Sequence, residues 1–182
     1  MFSTGSQVSL QDVLQARDER VSRQKDLLAV YPKSTLINFK CNIPGPIKSN
    51  HYIKALFEHG LVQIQEELER KSIAIRHQEL VDPMTGPEAY LLVEKPLRQI
   101  KEMMIVIEEG SDLARLYDID VLSLGESQDE VLSLSRQDLG LLPRLCFVCD
   151  DTAKNCGRSR RHSLEEMYAT IEELVQSLTE KM

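Results

Sequence analysis

The pattern of apolar positions changes from helical spacing to strand spacing and back along the chain. Ser9 with Asp12 resembles the capping box that begins many helices. The stripe that follows contains Leu10, Leu14, Arg17, Val21, Gln24 and Leu28. This spacing predicts an amphipathic first helix. It also places Arg17 on the buried side, where its guanidinium either points into an internal pocket or extends to the surface.

Strict alternation of apolar and polar residues follows in residues 35 to 43. One face carries Ile37, Phe39, Cys41 and Ile43, and the other carries Asn38, Lys40 and Asn42. The alternation predicts a half-buried strand, which the Pro44-Gly45-Pro46 turn ends. Ser49 or Asn50 can cap a second helix that reaches about Arg70. Lys48 then lies beside a helix N-terminus, either as part of an anion site or as an exposed lysine in a plain connection.

The rest of the chain predicts four strands and two helices. The strands are residues 73 to 81, residues 88 to 94, the segment with Asp118 and Asp120, and residues 130 to 136. The helices are Leu97 to Ile107 and a final helix that begins at a capping box of Ser163 and Glu166. This order predicts an α+β fold with a mixed or antiparallel sheet flanked by helices. We expect one domain over residues 1 to 182, with residues 146 to 182 as a Cys/Arg-rich segment and a packed C-terminal helix.

Composition and charge exclude several classes of protein. Hydrophobic residues make up 42% of the chain, which is ordinary for a globular protein. The net charge of −7 argues against a general nucleic-acid binder, because such a protein needs a basic surface. The sequence shows neither a signal peptide nor an apolar run long enough to cross a membrane, so we expect a cytoplasmic protein. Rossmann, P-loop and α/β-hydrolase signatures are absent.

Asp118 and Asp120 lie two residues apart in an otherwise apolar run with strand propensity. Side chains alternate along a strand, so both carboxylates project from one face, about 7 Å apart along the chain. Like charges this close favour a cation between them, and phosphoryl or nucleotidyl transfer requires Mg²⁺ held by carboxylates. The alternative is a plain antiparallel strand with both aspartates facing water, which the same alternation allows.

Candidate ligands for a second metal lie near the C-terminus. Cys146, Cys149, Cys156 and His162 have a spacing compatible with a tetrahedral structural zinc site. The gap between the cysteine pairs is shorter than in common zinc fingers, so the sequence favours packing or loop structure over zinc. Redox activity is a third alternative. Without a metal, His162 is either a surface residue or a donor to a phosphate.

Positive charge is clustered although the chain is acidic overall. One cluster is Arg17, Arg20 and Arg23, and the other is Arg158, Arg160 and Arg161. Such clusters suit local capture of a polyphosphate, and solvated arginines on a helix or loop are the alternative.

Several segments taken together resemble one enzyme family. In chain order they are RDERVSRQ, NIPGPIK, LFEHG, GPEAYLLV, ARLYDIDVL, LSRQD, LPRLCFVC and CGRSRRHS. They resemble the holo-acyl-carrier-protein synthases of citrate lyase, the apo-citrate lyase phosphoribosyl-dephospho-CoA transferases, from about residue 14 to residue 178. The family typically has Gly-Arg-Leu before its Asp-x-Asp, whereas this chain has Ala114-Arg115-Leu116.

The resemblance implies a nucleotidyltransferase-like enzyme. It would move a prosthetic group from 2′-(5″-triphosphoribosyl)-3′-dephospho-CoA to a serine of the citrate lyase acyl carrier subunit and release pyrophosphate. We expect Asp118 and Asp120 to hold Mg²⁺, and Asp138 to serve as a further metal ligand or as the base toward the serine. Glu88 is a weaker choice for that role. The enzyme that makes the triphosphoribosyl precursor is expected to be another protein.

Substrate-binding roles fall on basic residues. The candidates are Arg17, Lys48, Arg115, Arg158, Arg160 and His162. Side chains of this kind stabilise a departing pyrophosphate. Arg158, Arg160 and Arg161 suit docking of an acidic carrier equally well.

Two alternatives to this function stay open from the sequence. One is a non-catalytic adaptor that folds around zinc and binds an acidic partner through its arginines. The other is a nucleotidyltransferase with a different donor, such as ATP, which the Asp-x-Asp pattern alone does not exclude.

Overall fold

A computed structural model of the protein describes residues 2–127 and 130–179. Its helices are α1 (Leu10–Val30), α2 (His51–Arg70), α3 (Leu97–Glu109), α4 (Ala153–Ser159) and α5 (Leu164–Thr179). Its strands are β1 (Thr35–Cys41), β2 (Ile75–Val81), β3 (Glu88–Val93), β4 (Tyr117–Leu124) and β5 (Val131–Ser133). The predicted elements occur in the predicted order. The short helix α4 and the 3₁₀ turns Leu113–Leu116 and Gln137–Leu139 are additional.

The five strands form one antiparallel sheet in the order β2-β3-β1-β4-β5. The predicted α+β class is therefore confirmed, with an antiparallel sheet. β1 is the central strand, and Thr35 to Phe39 are buried throughout. The prediction of a half-buried strand is wrong here, because helices cover both faces of the sheet. Asn38, expected on a wet face, is only 1% exposed.

The main core lies between one face of the sheet and α2, α3 and α5. It contains Ile37 and Phe39 of β1, Ile119 of β4, and Leu56 and Ile64 of α2. The predicted caps of two of these helices are present. Asn50 accepts the N–H of Ile53 at 2.9 Å, and Ser163 and Glu166 form a reciprocal capping box at the start of α5. None of the helices in the described part of the chain is long and apolar enough to span a membrane.

α1 lies on the opposite face of the sheet, and only its C-terminal half makes an apolar contact. Leu28 packs there against Leu36, Tyr90 and Leu92. The predicted capping box at Ser9 is present. The capping box thus closes the N-terminal turn of the helix, Leu28 packs near its C-terminal end, and the section between them lies over polar residues of the sheet.

The buried side of α1 differs from the predicted stripe. Gln24 and Leu28 of the stripe are buried as predicted, but Leu10, Leu14, Arg17 and Val21 are exposed, and Arg20 and Arg23 approach the sheet instead. The sheet surface under this part of the helix is polar, so hydrophobic periodicity does not mark the side that faces it.

Glycine fixes the closest approach of a helix to the sheet. A Cβ on Gly60 of α2 would lie 2.5 Å from Phe39 and 2.9 Å from the ring of Tyr117. Only glycine lets α2 come this near. Tyr117 immediately precedes Asp118, so this packing helps to fix the start of β4.

The loops at the end of β1 and the start of β3 also depend on glycine. Gly45 has a φ of +77°, and a Cβ there would lie 2.2 Å from the Tyr168 hydroxyl. Gly86 has a φ of +106°, and a Cβ there would lie 2.8 Å from the Lys48 carbonyl oxygen. These close approaches pack the two loops against α5 and against each other.

Candidate active site

Two rows of polar side chains cross the α1-facing side of the sheet. The rows are Glu88, Lys40 and Asp118, and then Tyr90, Asn38 and Asp120, from β3, β1 and β4 respectively. We call these six residues the polar face. Asp118 and Asp120 lie on one face of β4, as the alternation predicts. The positive charge of Lys40 lies between the carboxylates of the two neighbouring strands.

Lys40 and the two aspartates form the accessible part of the polar face. Lys40 Nζ donates to Asp118 Oδ2, and the Asp118 side chain is 36% exposed. Asp120 is exposed. Burial lowers the pKa of Lys40 below its ordinary value, while the nearby charge of Asp120 partly offsets this shift. The cation is thus held beside two carboxylates that solvent and solutes can reach.

Arg20 of α1 binds Glu88 with a forked contact. Its Nε lies 2.9 Å from both carboxylate oxygens of Glu88, and its Nη2 lies 2.5 Å from Oε1. Tyr90 also donates its hydroxyl to Glu88 at 2.6 Å. Glu88 is only 4% exposed. Its carboxylate is therefore committed to fixing Arg20 and Tyr90.

A buried amide pair continues this network. Gln24 Nε2 donates to Asn38 Oδ1 at 2.8 Å, and Asn38 Nδ2 donates to the Ala89 carbonyl at 3.1 Å. Arg23, one turn after Arg20 on α1, pairs with Glu79 and lies 5.9 Å from the centre of the Tyr90 ring. The middle of α1 is thereby held over the polar face by hydrogen bonds and charge, whereas Leu28 supplies the apolar contact nearer its C-terminus.

Two buried side chains of α3 hold the peptide groups between the aspartates. Glu108 accepts the N–H of Ile119 at 3.1 Å, and Lys101 Nζ donates to the Ile119 carbonyl at 3.0 Å. β5 pairs with β4 only from Leu122 to Leu124, so it does not reach Ile119. The side chains of α3 supply the hydrogen bonds that a longer strand would make.

A cavity of about 380 Å³ lies where β1 ends and β4 begins. Its lining includes Asn42, Arg115, Arg144, Cys156, Arg160 and His162. Arg144 donates to the Tyr117 carbonyl at 2.9 Å and pairs with the buried Glu108. We call this space the arginine cavity. Two of its lining residues lie close to the polar face in the sequence: Asn42 follows Lys40 by two residues, and Arg115 precedes Asp118 by three.

Three cysteines and a histidine meet at the far wall of this cavity. The ligand atoms of Cys146, Cys149, Cys156 and His162 lie within 4.8 Å of one another. Cys149 Sγ is 3.5 Å from Cys156 Sγ and 3.3 Å from His162 Nε2. This Cys₃His cluster could bind a metal such as zinc.

Comparison with known proteins assigns the family. The family model described as apo-citrate lyase phosphoribosyl-dephospho-CoA transferase matches residues 8–178. A probable apo-citrate lyase phosphoribosyl-dephospho-CoA transferase of Streptococcus pyogenes serotype M3 is 41% identical over 180 residues, which cover 99% of this chain and 92% of that protein. The apo-citrate lyase phosphoribosyl-dephospho-CoA transferase of Escherichia coli O1:K1 is 33% identical over 174 residues, which cover 96% and 92%.

This chain belongs to the apo-citrate lyase phosphoribosyl-dephospho-CoA transferase family. The family resemblance predicted from the sequence is confirmed. Three of the segments that carry it meet on the polar face: RDERVSRQ supplies Arg20, GPEAYLLV supplies Glu88, and ARLYDIDVL supplies the two aspartates. Ala114, where the sequence pattern of this transferase family typically has glycine, is 1% exposed and packs in the main core.

Two of the predicted substrate-binding residues, Arg17 and Lys48, make none of the described contacts with the polar face. Arg17 is exposed, one turn before Arg20 on α1. Lys48 is half-buried and donates to the Ile43 carbonyl at 2.5 Å, and burial lowers its pKa. Its ammonium thus closes the loop after β1 in the conformation described.

Asp138 is exposed and caps its own 3₁₀ turn. Its Oδ2 accepts the N–H and the hydroxyl of Ser135, both at 2.7 Å. These bonds hold the pKa of Asp138 below its ordinary value. The strand predicted over residues 130 to 136 is shorter than expected, since β5 ends at Ser133 and Asp138 lies beyond it.

The predicted basic residues near the C-terminus divide into two groups. Arg115, Arg160 and His162 line the arginine cavity. Arg158, Arg160 and Arg161 are all exposed, but Arg158 and Arg161 lie outside the lining of the cavity, and Arg161 pairs with Asp151 at 3.0 Å. The arginine cluster therefore faces two different surroundings.

Sequence reasoning assigned no role to Lys40 or Arg144. The cross-strand register places Lys40 beside Asp118, which is 78 residues away in the chain. The sequence near Lys40 cannot predict a partner at that distance. For Lys40, the alternation of β1 gave a usable signal, because it places the lysine on the polar side of a strand. For Arg144, its place in the LPRLCFVC segment was the available signal.

Proposed function

We propose that the protein transfers the phosphoribosyl-dephospho-CoA prosthetic group to the acyl carrier subunit of citrate lyase. The donor would be 2′-(5″-triphosphoribosyl)-3′-dephospho-CoA, and a carrier serine would be the acceptor. The serine oxygen forms a bond to the α-phosphorus, the bond from that phosphorus to pyrophosphate breaks, and the serine proton passes to a base. Family membership supports the transferase class over a non-catalytic adaptor.

The observation that carries this proposal is the polar face itself. Asp118 and Asp120 lie on the accessible side of one strand, with Lys40 between Asp118 and the buried Glu88. Phosphoryl transfer needs fixed charges around a polyphosphate more than it needs a protein nucleophile. Two reachable carboxylates beside an anchored cation meet that need.

The residues present fit Mg²⁺. Asp118 and Asp120 offer carboxylate oxygens, the ligands that a hard divalent cation prefers, and neither is fully buried. Glu88 is unsuited, because Arg20 and Tyr90 occupy its oxygens. When bound, Mg²⁺ would neutralise negative charge on the phosphates.

Charged side chains of the chain would orient the donor. Lys40 would donate to a phosphate oxygen from the centre of the polar face, where burial strengthens its interaction with an anion. Arg115 and Arg144 would bind phosphate groups of the donor in the arginine cavity. We give Asp138 the role of a turn cap, because its carboxylate binds Ser135.

The test is a transfer assay with the full chain. The protein is incubated with apo acyl carrier subunit, the triphosphoribosyl precursor and Mg²⁺, and the intact mass of the carrier is measured. We expect a mass gain equal to the phosphoribosyl-dephospho-CoA group. Asp118→Asn and Asp120→Asn should each lower the rate about 10²-fold or more, as loss of a charge-stabilising group does.

Asp26→Asn is the matched control, because Asp26 is an exposed aspartate on α1 far along the helix from Arg20. It should leave the rate unchanged. No mass gain with a competent carrier would overturn the proposed reaction. A gain that survives both substitutions would keep the reaction and remove the metal role of the aspartates. Preference for ATP over the precursor would show a different donor.

A further inference from the structure

The segment that carries the Cys₃His cluster has almost no apolar core of its own. From residue 141 to residue 163, all of which the structure describes, the only buried residues are Cys146 and Cys156. Leu142 is 82% exposed and Leu145 is 47% exposed. α4 has only seven residues, fewer than an isolated helix needs for stability. Phe147 packs against the main core, but this is little apolar burial for 23 residues, so a further interaction is needed to hold the segment in place.

The cluster has nearly the dimensions of a tetrahedral zinc site. Zinc–sulfur bonds of about 2.3 Å and zinc–nitrogen bonds of about 2.0 Å require ligand atoms about 3.5 to 3.8 Å apart. Cys149 Sγ lies 3.5 Å from Cys156 Sγ and 3.3 Å from His162 Nε2. All four ligand atoms lie within 4.8 Å of one another, so small side-chain rotations complete the tetrahedron.

Backbone contacts around the cluster favour a thiolate and fix the turn that presents it. The N–H of Val148 donates to Cys146 Sγ at 3.4 Å. The N–H of Cys146 donates to the Asp151 carbonyl at 2.7 Å, which closes the loop before α4. At the other end, Arg160 adopts a left-handed conformation with a φ of 49°, and His162 follows two residues later. The chain reverses twice and returns all four ligands to one point.

We propose that the Cys₃His cluster binds one structural zinc ion, and that this ion fixes α4 and the Arg160 wall of the arginine cavity. Three thiolates and a neutral imidazole are a complete, soft ligand set, which is typical of structural zinc. The site then carries one net negative charge, and Arg160 and Arg161 lie next to it in the chain. The proposal does not depend on the transferase reaction, because its tests measure metal and local structure.

The first test is metal analysis of the full chain, purified without chelator and freed of any affinity tag. We expect close to one zinc ion per chain. After exchange with Co²⁺, the protein should show the intense visible bands of tetrahedral cobalt with thiolate-to-cobalt charge transfer. These measurements need no variant, so they hold even if a ligand substitution prevents folding.

Variants then locate the ion. Cys149→Ser and Cys156→Ser should each lower zinc content and weaken binding at least tenfold. His162→Cys, which keeps four ligands, should retain zinc and strengthen the charge-transfer bands of the cobalt form. Cys41→Ala is the matched control, because Cys41 lies on β1 outside the cluster, and it should keep zinc at the level of the unaltered chain.

Limited trypsin digestion reports the structural consequence. Removing zinc should speed cleavage at Arg158, Arg160 and Arg161 about tenfold, since local unfolding frees the backbone around these exposed side chains to enter the protease. Cleavage after Arg70 at the end of α2 should not change. A chain that takes up neither zinc nor cobalt would overturn the proposal. Zinc that remains in both cysteine-to-serine variants, or cleavage that ignores the metal, would also overturn it.

Discussion

Lys40 is the residue in which burial and charge act against each other most directly. Burial disfavours the ammonium form and lowers its pKa, and Arg20 acts in the same direction, while Asp120 and Glu88 favour the charge. The net shift is downward, so Lys40 loses its proton at a lower pH than an exposed lysine. As pH rises, Lys40 should therefore lose its affinity for an anion at a lower pH than an exposed lysine would.

Lys40→Arg tests this through a pH–rate profile of the transfer reaction. Arginine keeps its charge at all accessible pH values, so the alkaline limb should move to higher pH even if the overall rate falls. Lys40→Met should lower the rate about 10²-fold at neutral pH. Alkaline limbs that superimpose in the Lys40→Arg and unaltered proteins would show that Lys40 does not titrate in the reaction.

The same shift has a defined effect on stability. Between the lowered pKa of the folded protein and the ordinary pKa, the unfolded chain binds a proton that the folded chain has lost. The free energy of unfolding contributed by Lys40 therefore increases as pH rises through this range. In Lys40→Met, urea unfolding across alkaline pH should lack this increase.

Arg20 and Arg17 lie one turn apart on α1, but Arg20 is half-buried against Glu88 and Arg17 is exposed. Substituting each of them therefore tests which side of the helix faces the sheet. Arg20→Met leaves Glu88 buried without its cation, which should cost about 2 to 4 kcal/mol of unfolding free energy. Arg17→Met, on the exposed side, should change it by less than about 0.5 kcal/mol. Urea unfolding measures both. Equal losses of unfolding free energy in the two variants would contradict the placement of Arg20, and not Arg17, against the sheet. Adding Glu88→Gln to Arg20→Met removes the unpaired charge, so it should restore part of the unfolding free energy.

At the scale of elements, Gly60 determines how closely α2 packs on β1 and β4. Gly60→Ala forces a methyl group to within 2.5 Å of Phe39 and should destabilise the protein by about 1 to 3 kcal/mol in urea unfolding. Gly157→Ala is the matched control in α4, because nothing lies within 4 Å of its Cβ. That control should be neutral or slightly stabilising. A neutral Gly60→Ala would mean that α2 can shift without cost.

Local patterns predicted most of the elements and the shared face of the two aspartates. Capping boxes, strict alternation and proline-rich turns act within a few residues, so they are visible in the sequence. The buried side of α1 was predicted correctly at Gln24 and Leu28 and wrongly at Leu10, Leu14, Arg17 and Val21, because the sheet beneath Arg20 is polar and apolar spacing does not mark the side that faces it. α4 was missed because AKNCGRS is short and has weak helix propensity.

The contacts that the site residues make could not be predicted, because they depend on how strands and helices far apart in the sequence are aligned in the fold. Lys40 meets Asp118 across 78 residues, and Arg20 meets Glu88 across 68. No pattern within one segment specifies such pairs. The position of Asp138 depended on the length of β5, which ends at Ser133 after only three residues. Sequence therefore identified which residues are polar and on which face they lie, but not what they contact.

At the scale of the whole molecule, an acidic chain of net charge −7 concentrates arginine near its C-terminus. Arg158 and Arg160 are both exposed, but Arg160 lines the arginine cavity and Arg158 lies on α4 outside its lining. This difference predicts two roles within one cluster. Under the proposed function, Arg160 would bind the donor, and Arg158 would attract an acidic carrier protein.

Charge reversal separates these roles. Arg160→Glu should raise the KM for the triphosphoribosyl precursor at least tenfold, because it places a carboxylate beside phosphate groups. Arg158→Glu should raise the KM for the carrier about three- to tenfold and leave the precursor KM unchanged. The carrier KM should also rise with ionic strength, since contacts between exposed charges are screened by salt.

Lys154→Glu changes the net charge by the same amount as Arg158→Glu and lies on the same exposed helix, so it is the matched control. If Arg158 docks the carrier through a specific contact, Lys154→Glu will raise the carrier KM less than Arg158→Glu does. Equal increases would mean that the carrier responds only to the overall charge of α4. An increase in precursor KM with Arg158→Glu would instead place Arg158 in the donor site with Arg160.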